Sequence, residues 1–235
     1  MLGHSHATSG ALLWAATAPV LPPVLTGGQL RAQDVLVGTL LCAGAALLPD
    51  LDHRDSTIAH FLGPFSRMLC RGVAHVSGGH RQATHSLLFV VLAGVATWAG
   101  EVYLGRPFTL AVVFLLIALA VRALHLCPPG RGVAAWGTIA VVAAVGTAIA
   151  ASQLAAAPLW LPVVVALGAL VHLAGDCLTP QGCPLLWPRR TRYEVVLIRR
   201  TGNRVETFVI VPVMTLATGV LLWFTLGAPA AAVPG

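Results

Sequence analysis

The sequence predicts an all-α fold, a polytopic transmembrane helical bundle of six to seven spans. Three observations support it. Of 235 residues, 57% are hydrophobic and 9% are charged, against roughly 25% charged in a soluble domain. Mean hydropathy is +0.84. The apolar residues fall in long runs, and about 20 such residues cross the hydrocarbon of a bilayer. Lipid is the expected solvent, and the bilayer the first expected partner. One integral-membrane domain is expected over residues 1–227, with a flexible tail at 228–235.

Taken in order, the leader MLGHSHATSG holds no Lys or Arg, so a cleaved signal peptide is not expected. The run Gly10–Thr26 is weak, because it contains Pro19, Pro22 and Pro23. The run Val35–Leu48 has only fourteen residues. As a helix it reaches about 21 Å, short of a ~30 Å core. It must extend past Pro49 or leave its polar end below the headgroups. Five stronger runs follow: Ser86–Leu104, Phe108–Leu126, Val133–Ala151, Pro158–Ala174 and Thr207–Gly227. Asp55 is placed to cap a helix beginning near Ser56. RYEVVLIRRTGNRVETF reads as a short cytoplasmic hairpin with TGN as its turn. Trp14, Trp160 and Trp187 fit an interfacial belt.

With seven crossings, the N-terminus and residues 49–85, 127–132 and 175–206 share one side. That side holds Arg54, Arg67, Arg71, Arg81, Arg131, Arg189, Arg190, Arg192, Arg199, Arg200 and Arg204, with Arg122 near it. The other holds only Arg31 and Arg106. Twelve arginines against two place the first side in the cytoplasm. The net charge of +6 comes from arginine alone, without aromatic–basic interleaving, so nucleic acid is not an expected partner. The five cysteines form no CxxC pair, which argues against a disulfide framework or a thiolate zinc cluster.

Four polar clusters interrupt this apolar chain, all on the arginine-rich side. They are GHSHATSGA with His4 and His6; LLPDLDHRDS with Asp50, Asp52 and His53; HRQATHS with His80, Arg81, Thr84 and His85; and VHLAGDCLTPQG with His172 and Asp176. His172 and Asp176 are i,i+4 and share a helix face. Imidazole and carboxylate without thiolate suit a divalent ion, Zn²⁺ first, with Mn²⁺ or Mg²⁺ as alternatives. Ionisable groups near membrane depth are costly, so they are usually paired, metal-bound or functional. Plainer readings stand beside these. His4, His60, His75 and His125 read as hydrogen-bonded surface residues, and Asp50 and Asp52 could form an ion-pair knot with Arg54 or Arg81. Arg189, Arg190 and Arg192 read as topology determinants or as a phosphate or headgroup rim.

At LLPDLDHRDS, GHRQATHSLL and VHLAGDCLTPQGCPLLWP the chain resembles a family of membrane-bound, metal-dependent hydrolases, also described as LexA-regulated inner-membrane proteins. His6 near the start and Glu206 in TGNRVE match too, so the resemblance runs in order over residues 6 to 206. It implies a helical membrane protein with a metal site made from His6, Asp50, Asp52, His80, His85, His172 and Asp176. Relative to shorter relatives, an extra apolar helix pair lies within residues 105–157.

The expected function is metal-dependent hydrolysis at the cytoplasmic membrane face. Asp50 or Asp52 would take a proton from water, Arg81 would steady a developing anionic oxygen, and Thr84 and Thr179 would orient ligands. An amphiphilic phosphoester, a lipid or lipid-linked molecule, is the expected substrate. The alternatives are a non-catalytic membrane protein with a structural metal site and a metal-ion transporter.

Overall fold

The computed structural model describes residues 1–53, 56, 64–130, 132–154, 158–198 and 200–227. Arg54, Asp55 with its expected cap, His60, Arg131, Arg199 and the tail 228–235 lie outside the described residues. In chain order come α1 (Gly3–Thr17), a 3-10 turn (Ala18–Val20), the short α2 (Pro23–Thr26) and α3 (Ala32–Ala45). A second 3-10 turn (Leu48–Asp52), α4 (Pro64–Ser77) and a third turn (Ala83–His85) follow. The longer helices are α5 (Leu87–Leu104), α6 (Arg106–Ala123), α7 (Val133–Gln153) and α8 (Trp160–Cys177). A π-helical turn (Glu206–Ile210) then leads into α9 (Val211–Gly227). The fold is all-α, and no strand forms among the described residues.

Six helices are long and apolar enough to cross a membrane: Ala32–Asp52, α5, α6, α7, α8 and Glu206–Gly227. The five stronger runs all appear, within a few residues of their expected bounds. The short fourth-decade run is lengthened at both ends. Arg31 and Asp34 close a capping box at its start, and beyond Ala45 it continues through Pro49 as a 3-10 turn. Proline is tolerated in the first turn of a helix, where its missing N–H has no partner to lose. That continuation carries Asp50 and Asp52. The leader is also ordered. It is the first two turns of α1, and Ser5, His6 and Thr8 are buried inside the bundle.

α3 is the axis of the bundle, packed against α1, α6 and α8. α8 also touches α5 and α1, α7 rests on α6, and α9 rests on α1. Small residues allow the central crossing. A Cβ on Gly168 of α8 would lie 2.5 Å from Cβ of Ala45, so only glycine lets the two backbones meet there. Trp14 and Trp160 are not interfacial; they are 0% and 4% exposed and pack on each other in the core, ring centroids 5.9 Å apart. Leu41, Leu116, Leu119 and Leu161 fill the space around them. The span 206–227 is only 6% buried and is left to face lipid.

The two ends of the bundle differ in chemistry. At one end, Arg31 donates to the carbonyl of Gln153 at 2.8 Å and Arg106 to that of Ala151. These two arginines cap the open carbonyls of α7. The four polar clusters gather at the opposite end.

The expected hairpin at 192–208 is not a β-ladder. Its first limb donates instead to the end of α8: Val195 N–H to the Cys177 carbonyl at 2.7 Å and Ile198 N–H to that of Leu178 at 2.9 Å. Carbonyls at a helix C-terminus lack intrahelical donors, and this segment supplies them. TGN is a helix start rather than a strand turn. Asn203 Oδ1 accepts the N–H of Glu206 at 2.7 Å, and Glu206 Oε2 accepts that of Gly202 at 2.7 Å. Asn followed three residues later by Glu is the spacing of a capping box.

Candidate metal centre

All seven ligand candidates meet at this end. Two adjoining groups form, Asp50, Asp52, His80 and His85, and His6, His172 and Asp176; within each group one ligand atom per residue lies within 4.8 Å of the others. Each side chain has its own local reason for being there. The 3-10 turn after α3 aims Asp50 and Asp52 at the bundle axis. The turn 83–85, stopped by Ser86 capping α5 through Phe89 N–H, presents His85. The last turn of α8 carries His172 and Asp176. His6 reaches them because residue 175 is glycine; a Cβ there would lie 3.2 Å from the His6 ring. His6 and His172 stack with centroids 3.8 Å apart and planes 16° apart.

The hydrogen bonds fix which ring atoms carry hydrogens. His172 Nδ1 lies 2.6 Å from the Ala46 carbonyl, which can only accept, so Nδ1 is protonated and Nε2 has a free lone pair. Thr84 gives its hydroxyl hydrogen to Asp52 Oδ2 at 2.5 Å, so its oxygen accepts from His85 Nδ1 at 3.1 Å. His85 Nε2 is thereby left without a hydrogen as well. These two nitrogens face each other at 3.3 Å. Asp176 Oδ2 stands 3.5 and 3.7 Å from them, and Asp50 Oδ1 3.8 and 3.7 Å. As neutral rings, both imidazoles turn lone pairs toward one spot shared with these two carboxylate oxygens, of which Asp176 Oδ2 also accepts from Arg81 Nη2 at 2.7 Å. Such an arrangement is repulsive by itself and fits a cation, and the donor set of imidazole and carboxylate suits a divalent metal ion.

Asp52 is fully used. Its Oδ1 receives His80 Nδ1 at 2.9 Å, and its Oδ2 receives the Arg81 N–H at 2.9 Å and Thr84. It therefore orients His80 and His85, the outer-shell duty that tunes metal ligands. Asp50, 24% exposed, has both freedom and access. Of the two aspartates expected as proton acceptor, the geometry suits Asp50.

Arg81 is more committed than its sequence role suggests. Its Nη2 pairs with Asp176 Oδ2 at 2.7 Å and its Nη1 donates to Thr179 at 3.3 Å. Only its Nε is buried without a partner. Its backbone φ is +57°, a left-handed conformation that costs an L-residue about 1–2 kcal/mol. Its N–H on Asp52 and its guanidinium on Asp176 hold it there, so one strained residue ties the two groups together.

Glu206 lies at the edge of the site and straps it. It accepts the Leu2 N–H at 2.8 Å, the Ser5 hydroxyl at 2.7 Å and the Gly202 N–H at 2.7 Å. The strap sets the start of α1, and thus His6, against α8. The Met1 ammonium lies 2.9 Å from Asp176 Oδ1. Glu206→Gln is expected to free the start of α1, because an amide NH₂ would oppose donors that now meet a carboxylate. Hydrogen bonds to a charged group contribute roughly 1.5–3 kcal/mol. Amides of residues 2–8 should then exchange hydrogen about tenfold faster or more; unchanged protection would remove the strap.

His53 is a site residue that sequence spacing left undecided. Its ring meets that of His80 edge-on, centroids 4.4 Å apart. Its place directly after Asp52 was the available signal. Thr84 and Thr179 stand where ligand-orienting residues were expected. His4 packs on His125 instead of entering the site, ring centroids 5.6 Å apart.

Comparison with known proteins is consistent with this membrane architecture. A family model described as YdjM inner membrane protein matches residues 1–128 and 132–233. The proteins named inner membrane protein YdjM from Escherichia coli (strain K12) and from Shigella flexneri are each 30% identical over 164 residues, 69% of this chain and 56% of theirs. The matched part thus spans little more than half the length of these curated relatives. No solved structure matches the chain. The family match covers almost every residue described above, and the chain belongs to the YdjM inner membrane protein family.

Proposed function

We propose that the protein is a membrane-embedded, metal-dependent hydrolase that works at the cytoplasmic membrane face on an amphiphilic phosphoester. The observation that carries this reading is the convergence of His85 Nε2, His172 Nε2, Asp50 Oδ1 and Asp176 Oδ2 on one spot. The spot adjoins open space: His80, 37% exposed, and Arg81 line a cavity of about 420 Å³ with Gln181 and Arg192. A structural metal site is closed, whereas a catalytic one keeps a position for water or substrate. The exposure of His80 and Asp50 favours the second arrangement. The clustering of these groups at one end of the bundle, with none threaded along a span, argues against an ion pathway.

His85, His172, Asp50 and Asp176 would hold a divalent ion, which would supply an acidified water and polarise the ester oxygen. The chain's own groups do the rest. Asp50 accepts the proton of the attacking water. Asp52 and the Ala46 carbonyl keep His85 and His172 in the tautomers that point lone pairs inward. Arg81 Nε faces charge that develops on the phosphoryl oxygens.

The test is hydrolysis of phosphodiester substrates, soluble and lipid, by purified protein in detergent. Activity should vanish with a chelator and return with Zn²⁺, Mn²⁺ or Mg²⁺. Chelator-insensitive activity, or none with any ion, would remove the reading. Sidedness is checked separately. Since α9 runs away from the site, a reporter fused after Gly227 should be periplasmic, and a cytoplasmic signal would put the site on the other face.

A further inference from the structure

Helix α4 has two faces. Arg67, Arg71 and His75 recur at four-residue spacing on one, and Leu69, Val73 and Val76 on the other, with Met68 at the border. Cys70 anchors the helix in the core, but the outer part of the apolar face is open: Leu69 is 50% and Val76 85% exposed. Beside it stands the first part of α5, whose Leu88 and Leu92 are also exposed. Between them lies an apolar cavity of about 700 Å³, lined also by Trp187 and by Thr84, the residue that donates to Asp52. Drug-sized ligands occupy cavities of roughly 300–1,000 Å³.

A second cavity adjoins this one. Val76, Ser77 and Trp187 also line the second, of about 610 Å³, whose far wall carries Arg190 and Arg192. Arg192 in turn lines the space at His80 and Arg81. Its guanidinium is aimed there by two carbonyls, those of Gln181 at 3.0 Å and Arg81 at 3.4 Å. From lipid to metal centre the lining therefore passes from apolar to cationic to ligating, over adjoining residues. That sequence of chemistries matches one molecule with a tail and a negative head.

We propose that one acyl chain of an anionic phospholipid enters sideways from the bilayer between α4 and α5, with its phosphate at Arg190 and Arg192. This rests on the hydrolase reading for its purpose, but not for its binding. The amphipathic α4 lies in the interface plane, as such helices do, and forms one wall of the entrance. The arginines set the preference for negative headgroups, and the α4–α5 cleft sets the preference for a chain.

The test uses the full chain in nanodiscs with phosphatidylglycerol or phosphatidylcholine carrying a photoreactive group on one acyl chain. Phosphatidylglycerol adducts should concentrate on residues 68–76 and 87–92. Filling the cleft with Val76→Trp and Leu88→Trp should abolish them. Arg190→Gln and Arg192→Gln, both at exposed positions, should each lower the preference over phosphatidylcholine about fivefold, the worth of one basic residue near an anionic surface. Adducts spread equally over α7 and α9, or equal labelling by both lipids, would overturn the proposal. The same labelling in Asp176→Asn separates the two ideas. Labelling retained where no protein variant hydrolyses any phospholipid sinks the hydrolase reading alone; hydrolysis of soluble phosphodiesters without site-specific labelling sinks the lipid entrance alone.

Discussion

Asp176→Asn is expected to strip metal from the purified protein to trace levels. Asp176 is the most engaged carboxylate of the cluster. It pairs with Arg81 at 2.7 Å and stands 3.3 to 3.7 Å from nitrogens of His6, His85 and His172. An amide of the same shape removes the negative charge while offering an NH₂ to neighbours that are themselves donors or require a cation. Loss of an outer-shell partner costs 10–100-fold in metal affinity, so loss of a direct ligand should cost at least that. Breaking a buried ion pair from one side also destabilises by about 3–5 kcal/mol, and the thermal transition in detergent should fall. His85→Ala provides the control, since it removes a ligand and leaves the Arg81–Asp176 pair intact. Elemental analysis decides: metal content equal to wild type in both variants leaves no metal centre at these residues.

Asp50→Asn is expected to cut hydrolysis about 10²–10⁴-fold, the usual contribution of a positioned general base. The effect should fall on turnover more than on folding, because Asp50 is the one carboxylate here that retains access. Asp52→Asn should behave differently. It would unseat His80, His85 and the strained loop at Arg81 together, and so lower metal content along with activity. Asp50 Oδ1 is itself one of the four converging atoms, so both variants should bind the ion more weakly; rates measured at saturating ion separate the two aspartates, because Asp50→Asn should stay slow there. Full activity in a metal-loaded Asp50→Asn protein would take Asp50 out of the mechanism.

The spans were legible because a bilayer demands long apolar runs, and Ser86–Leu104 or Thr207–Gly227 admits no other reading. The span 32–52 was harder. Pro49 looks like a stop, yet the chain continues helically through it, so the aspartates sit on the span's end rather than beyond it. The polar leader gave no sign of its helix, because polarity says nothing about what residues 172 and 206 will offer it. Trp14 and Trp160 looked interfacial because their partners are each other, 146 positions apart. The hairpin expectation failed where one tripeptide, TGN, serves two local codes, and the glutamate three places on decided between them. The site residues themselves stood out because ionisable groups are rare here. Their distances and tautomers come from the Ala46 carbonyl and Thr84, which no spacing rule selects. The α4–α5 cleft joins residues 68 and 88 across a turn and has no linear signature.

The Glu206 strap has a consequence for biogenesis. While the ribosome is still short of codon 206, the emerging protein already owns every other donor of the cluster but has no latch for the segment bearing His6. Any ion bound there would meet a latched His6 only once residue 206 has been made.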